Sequence, residues 1–426
     1  MWYLQAHVSL RGVAEVLLTL IRLLGSLLPL SLPYHQTVRS WLLRCGLFLL
    51  RRLVPPRSDW VWILDCTLRI GQHKCLLVLG ASLEDLQGCQ DGLDHHQVTV
   101  LDLYVTARCT GLDVNDRLES LAQRSGVPEQ IVCDHGSDLS KGVRLFQAAH
   151  PEVVDTYDVT HKLASLVKAE LEPDPRWAEL LHRCTSCLFQ LQQSRGAFLT
   201  PPSPRSLARY MNVDRHTDWA CRMLGLLDLQ DKTEVAGLLG LDEVQTRCWL
   251  EEKLGWLRDF RQEVGRYQRL LDCVEVAQQE VKNHGLAQQT AQQVFCQLAP
   301  EALQDVSLAD FLSGLRSYLQ EEGDKVPQGQ SWLGTSDVIE SLFGKYKWFG
   351  EKAPYAEVGA SVLALPLLTV ELTAELVHEA MVSVSVQDVR DWVAQNVGRS
   401  ILSKVSAVST MVNESDHGPL HDTDSG

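Results

Sequence analysis

Trp60-Val-Trp-Ile-Leu-Asp65-Cys-Thr-Leu-Arg-Ile70 decides the reading of this chain, because an aspartate interrupts an otherwise strand-like apolar run. An unpaired buried charge is expensive, so Asp65 reads as a ligand or catalytic group. After Gly71-Gln72 the chain enters Lys74-Cys-Leu-Leu-Val-Leu79, the second strand of a β-hairpin. Gln130-Ile-Val-Cys-Asp134-His-Gly136 repeats the theme, a short apolar run ended by aspartate. Ser336-Asp-Val-Ile-Glu340-Ser-Leu-Phe-Gly-Lys345-Tyr-Lys347 puts Glu340 early on a helix. Two strand carboxylates and one helix carboxylate can together hold two hard divalent cations, Mg2+ or Mn2+, which prefer oxygen ligands.

Each carboxylate has a structural alternative. Asp134, ahead of His135-Gly136, can satisfy turn amides. Asp138 can cap the next helix or take the ligand role instead, but Asp134 directly follows the strand and is preferred. Asp337-Val-Ile-Glu340 fits a capping box. Against that, Ile339, Leu342, Phe343 and Tyr346 form a buried stripe beside a face carrying Glu340, Gly344 and Lys347. Lys345 and Lys347 suit contacts to a phosphate backbone, or plain solvation. Tyr157-Asp-Val-Thr-His161-Lys162 ends a strand, where His161 can position a phosphate and Asp158 or Thr160 can cap a helix.

Between these motifs the order of elements is legible. Strands are expected at 98–107, 130–133 and 153–159, and helices at 113–124 and 137–149. From about Thr160 to Gln328 the pattern is helical throughout, with long amphipathic runs at Glu243–Leu271 and Val274–Leu298. The stretch Ala356–Ser409 reads as helical, and the acidic residues after Met411 as a disordered tail.

Before the hairpin, Ser9 caps a helix running to Leu24, with Gly25 as its stop. A second helix starts near Pro33. It has Val38, Trp41, Leu42, Cys45 and Leu49 on one face and Gln36, Arg39, Ser40 and Arg44 on the other. Residues 1–57 carry seven arginines against one glutamate, net +6, which leaves −21 on the rest of a chain whose total is −15. A basic head on an acidic body suggests nucleic acid or a membrane at one end. Arg11, Glu15 and Arg22 interrupt the apolar stretch Val8–Leu32, which argues against a membrane span. A content of 45% apolar and 22% charged residues is that of an ordinary globular protein. The twelve cysteines read mostly as buried reduced thiols. Cys184-Thr-Ser-Cys187 has zinc-like spacing but no second pair to complete four ligands.

The strings around Asp65, Asp134 and Glu340, together with Val8-Ser-Leu-Arg-Gly-Val13 and Val38-Arg-Ser-Trp-Leu42, resemble a bacterial insertion-sequence transposase of the DDE superfamily. The resemblance implies an α/β fold: an RNase H-like mixed sheet interrupted by a large all-helical insertion, with an N-terminal helix-turn-helix head. It sets expected boundaries at 1–55 for the head and 58–160 for the first part of the catalytic core. The insertion is expected over 161–328, the second part of the core over 329–375, and C-terminal helices with the acidic tail over 376–426.

It further implies that Asp65, Asp134 and Glu340 bind two Mg2+ ions for strand cleavage and 3′-hydroxyl strand transfer. Gln36, Arg39, Ser40, Arg44, His161, Lys345 and Lys347 would contact DNA, namely terminal inverted repeats and target. A homodimer or larger synaptic assembly in the bacterial cytoplasm, at the nucleoid, follows from cutting two ends together. Another RNase H-fold nuclease and a catalytically inactive, transposase-derived DNA-binding protein are the competing readings.

Overall fold

A computed structural model of the chain describes residues 8–24, 33–66, 73–86, 93–203, 212–350, 359–398, 404–406 and 408–409. Gly25, the Gly71-Gln72 turn and the acidic tail lie outside these residues. The chain divides into two compact units, Met1–Thr156 with Ser336–Gly426, and Tyr157–Thr335.

The first unit is built on five strands: β1 (Trp60–Asp65), β2 (Lys74–Ser82), β3 (Thr99–Thr106), β4 (Gln130–Cys133) and β5 (Val154–Tyr157), in the order β3-β2-β1-β4-β5. β1 runs antiparallel to β2 and parallel to β4, and β2 runs antiparallel to β3. Every residue of β1 is buried, as expected of a central strand covered on both faces.

Alternation sends Trp60, Trp62 and Leu64 to one face, where they join Leu76, Val78, Ile131 and Cys133. That face packs on α3 (Gly111–Ser125) and α4 (Ser137–Ala149) through Val114, Leu118, Leu121, Val143 and Phe146. Val61, Ile63 and Asp65 share the other face of β1. Helix α12 (Asp337–Gly350) packs on β1, with Ile339, Leu342, Phe343 and Tyr346 buried as the stripe predicts.

The basic N-terminal segment is built into this unit instead of standing apart as a head over 1–55. Ser9 Oγ accepts from Gly12 N–H at 3.0 Å and starts α1 (Leu10–Leu24). Helix α2 (His35–Arg51) packs on the 3-10 segment Ala360–Leu368, on α13 (Ala374–Ser383), on α14 (Val386–Asn396) and on β3. Its burial therefore exceeds the expected stripe: Leu43 and Leu47 are buried with Val38, Cys45 and Leu49, while Trp41 is 42% exposed. Gly46 marks the closest approach, since a Cβ there would stand 1.7 Å from Leu363 O.

The second unit is helical in its described residues, with a single isolated bridge, Leu286 to Trp332. Its longer helices are α5 (Val159–Leu171), α6 (Pro175–Leu191), α7 (Val213–Asp228), α8 (Glu243–Leu254), α9 (Arg261–His284), α10 (Thr290–Gln297) and α11 (Ala309–Asp324). The run expected over Glu243–Leu271 is broken by a 3-10 turn, Gly255–Phe260. The run expected over Val274–Leu298 is broken at Gly285, whose φ of +74° lets the chain leave the helix. Leu286 is then pinned to Trp332 by two backbone hydrogen bonds, of 2.7 and 2.9 Å, so the helix cannot continue. Asp174 organises the centre, capping α6 and accepting from Arg266 and Tyr267 at 2.9 Å each. At the unit's ends, Val159 N–H donates to Gly334 O at 2.9 Å, holding entry and exit side by side. No described helix is long and apolar enough to cross a membrane.

Gly46→Ala drives a methyl into the Leu363 carbonyl and is expected to cost roughly 1–3 kcal/mol of stability, the usual range for overpacking. Denaturant unfolding measures it. An unchanged midpoint would mean that α2 and the 360–368 segment separate without penalty.

Candidate active site at the carboxyl edge of the central strands

The parallel ladder of β1 on β4 ends at the pair Leu64 and Cys133. Asp65 and Asp134 are the next residues along these two parallel strands, Asp65 still within β1 and Asp134 just past the end of β4. Asp65 is the last residue of β1 and only 2% exposed. Asp134 is partly exposed, and its Oδ1 accepts the Gly136 N–H at 2.8 Å. The turn reading of Asp134 therefore holds for one oxygen, and the bond fixes the carboxylate at the strand exit. Asp138, the rival ligand, sits in the first turn of α4 with its Oδ2 3.5 Å from Lys74 Nζ.

Glu340 lies in the first turn of α12, on an element packed against β1. Asp337 and Glu340 both lie in the first turn of the helix. The Glu340 helix packs on β1, and β1 pairs with β4, whose end precedes Asp134; among the described residues the three carboxylates do not form a group with ligand atoms within 4.8 Å of one another. The donor set is all carboxylate, the chemistry that suits Mg2+ or Mn2+. Burial, followed by the charges of Asp102 and Asp65, pushes up the Cys75 thiol on β2.

Asp102 on β3 shows what a structural carboxylate looks like in this sheet. It is 4% exposed and accepts from Arg117 Nε at 2.7 Å and from Arg124 Nη2 at 3.2 Å. These bonds tie β3 to α3.

The expected DNA contacts divide. Gln36 and Arg39 are exposed on α2 and Ser40 partly so. Arg44 turns inward: its guanidinium donates to Val384 O at 2.6 Å and to Met381 O, a cation at the carboxyl end of α13. On α12, Lys347 is exposed, but Lys345 Nζ lies 2.7 Å from His95 Nδ1. Burial first, then the Lys345 cation, lowers the His95 pKa. His161 belongs to the second unit, in the first turn of α5, where its N–H donates to the capping Asp158 carboxylate at 2.7 Å. The helix-cap reading of Asp158 is the one observed.

Cys184 and Cys187 are buried on α6, and desolvation pushes their thiols up to about 12 and about 11. They read as buried reduced thiols. The sequence reading assigned no role to Asp155, which lies on β5 against His135. The signal available was His135 itself, an imidazole immediately after a strand carboxylate.

No protein-family model matches the chain, and no curated protein matches it. Among solved structures the chain is similar to the Drosophila P element transposase strand transfer complex. The identity is 11% and the TM-score 0.38, with 81% of this chain and 87% of that one covered.

Neutralising a structural carboxylate and a ligand carboxylate should have different effects. Asp102→Asn weakens the charge-assisted bonds to two partly exposed arginines and is expected to cost about 1–3 kcal/mol. If Asp65 serves as a cation ligand and not as a framework group, Asp65→Asn in chelator-containing buffer should unfold at about the wild-type temperature. Thermal unfolding of both variants decides the point. A large loss at Asp65 would assign it to the framework.

Proposed function

We propose that this chain is a metal-dependent DNA phosphoryl-transfer enzyme, a transposase of the DDE type, with Asp65, Asp134 and Glu340 as its cation ligands. The observation that supports the reading is the parallel pairing of β1 with β4, a ladder that ends one residue before Asp65 and one before Asp134. Helix α12 adds a third acidic residue from an element packed on β1. Two Mg2+ ions bound there would activate the attacking water or 3′-hydroxyl and neutralise charge on the transferring phosphate.

The chain's own part is to hold oxygen ligands in fixed places. Asp65 is held by its pairing with Leu77 on β2, and Asp134 by the Gly136 amide. Both ends of an element would be cut in an assembly of at least two copies, at the nucleoid of a bacterial cell. Exposed Gln36, Arg39 and Lys347 are the side chains best placed to meet the phosphate backbone.

The test is Mg2+-dependent cleavage and joining of DNA carrying the element's ends. Asp65→Asn, Asp134→Asn and Glu340→Gln should each lower the rate by on the order of 100- to 1,000-fold, the usual loss for a preorganised electrostatic contact, with folding intact. Unchanged activity in Asp134→Asn removes that residue from the mechanism. Binding with no cleavage by the wild type favours the non-catalytic DNA-binding reading.

DNA affinity should fall steeply with salt, since each phosphate contact releases counterions. Arg39→Glu should weaken binding and flatten that dependence. Arg44→Ala should instead lower stability, because its guanidinium is engaged with α13. Binding indifferent to both salt and Arg39 would sink the assignment of α2 to DNA.

A further inference from the structure

We propose that Cys133, His135 and Asp155 form a separate site for one borderline-soft divalent cation of the Zn2+ kind. It does not rest on the reading of the carboxylates. Cys133 and His135 flank Asp134, and Cys133 joins the core on the Leu64 face of the sheet, the face opposite Asp65. Asp155 reaches them from the neighbouring strand β5. The Cys133 sulfur, a His135 ring nitrogen and an Asp155 oxygen all lie within 4.8 Å of one another, the one such group of three among the described residues. His135 Nε2 is 3.0 Å from Asp155 Oδ1, and Cys133 Sγ is 3.9 Å from the same oxygen.

Ligands around a tetrahedral zinc stand roughly 3.3–3.6 Å apart, from the usual Zn–S, Zn–N and Zn–O bond lengths. The two spacings to Asp155 bracket that range and the third lies within 4.8 Å, so the ligands would draw together by up to about an ångström to seat the ion. The His135–Asp155 contact in the metal-free chain would then become two metal bonds.

Backbone geometry gives independent support. His135 has φ +53°, one of two non-glycine residues with positive φ among those described. Such a conformation costs energy and persists where the surroundings over-determine it. Here it follows Asp134 directly and delivers the imidazole to Asp155.

The donors differ in kind from those on the other face of the strand. Sulfur and imidazole nitrogen favour Zn2+ or Co2+ over Mg2+, whereas an all-carboxylate set favours hard cations. Cys133 is fully buried, and the His135 and Asp155 side chains are only 22% and 15% exposed. The site is thus closed on the sulfur side and open where the imidazole and carboxylate reach the surface. Three protein ligands leave a fourth position for water. Binding would release the thiol proton, because the thiolate is the ligand.

Co2+ titration of the chelator-treated full chain tests this. One equivalent should bind, with a thiolate-to-cobalt charge-transfer band and tetrahedral visible bands. Zn2+ should displace it and excess Mg2+ should not. Cys133→Ser should abolish the charge-transfer band, and Asp155→Asn and His135→Asn should weaken binding roughly tenfold or more. The partly exposed Asp155 variant gives the result if the buried Cys133→Ser chain fails to fold. Two outcomes would overturn the proposal: absence of saturable binding, or a thiolate band that survives in folded Cys133→Ser and disappears in the Cys184→Ser, Cys187→Ser double variant. Cleavage activity plays no part in this readout, so its failure and the failure of the phosphoryl-transfer reading are distinguishable.

Discussion

The pairing of β1 with β4 is the constraint on which the first unit depends. Parallel neighbours cannot be joined by a tight turn, and here the connection runs through β2, β3 and α3 before β4 returns beside β1. Its register is set by burial. Trp62 and Leu64 belong to a core with Phe146 and Val143, and a slip of one residue would turn them to the opposite face. Polar contacts at the start of β1 fix the same alignment: Trp60 Nε1 donates to Ser125 O, and Glu129 N–H donates to Trp60 O, at 2.9 Å each. The pairing that closes the apolar core also carries Asp65 and Asp134 to one edge. Fold and candidate chemistry therefore share a single determinant.

A second constraint lies where the two ends of the chain meet. Helix α2 gives one side to β3 and others to the 360–368 segment, α13 and α14. The missing side chain at Gly46 permits backbone contact with Leu363, and the Arg44 guanidinium satisfies carbonyls at the end of α13. A residue chosen for charge on a helical wheel thus works as a helix terminator. Arg51, half exposed and 3.3 Å from Asp388, makes a surface version of the same link. Such an exposed pair contributes little by itself.

What could be read from the residues follows from which forces act locally. The strands β1 and β4 and the helix α4 coincide with their apolar runs and turn signals, since burial on both faces leaves a continuous hydrophobic signature. The partition of α2 could not be read that way. Its apolar stripe suggested one buried face, whereas Leu43 and Leu47 answer to a segment more than three hundred positions away. The helix breaks at Gly255 and Gly285 were hidden in otherwise helical patterns, because the bridge between Leu286 and Trp332 is a tertiary contact. At the candidate site, each aspartate stood out as a charge at the end of an apolar run. Asp155 did not, because an aspartate on an edge strand is ordinary until a histidine is seen to bend back toward it.

The short bond between Val159 and Gly334 bears on how such a chain could have been assembled. A long segment whose two termini are held together by its own hydrogen bond adds little strain to the sheet that hosts it, since the entropy of closing that loop is met inside the segment. Within the second unit, the points where the chain enters and leaves are thus neighbours. Such a block could be enlarged or exchanged over evolutionary time without moving its own two ends apart.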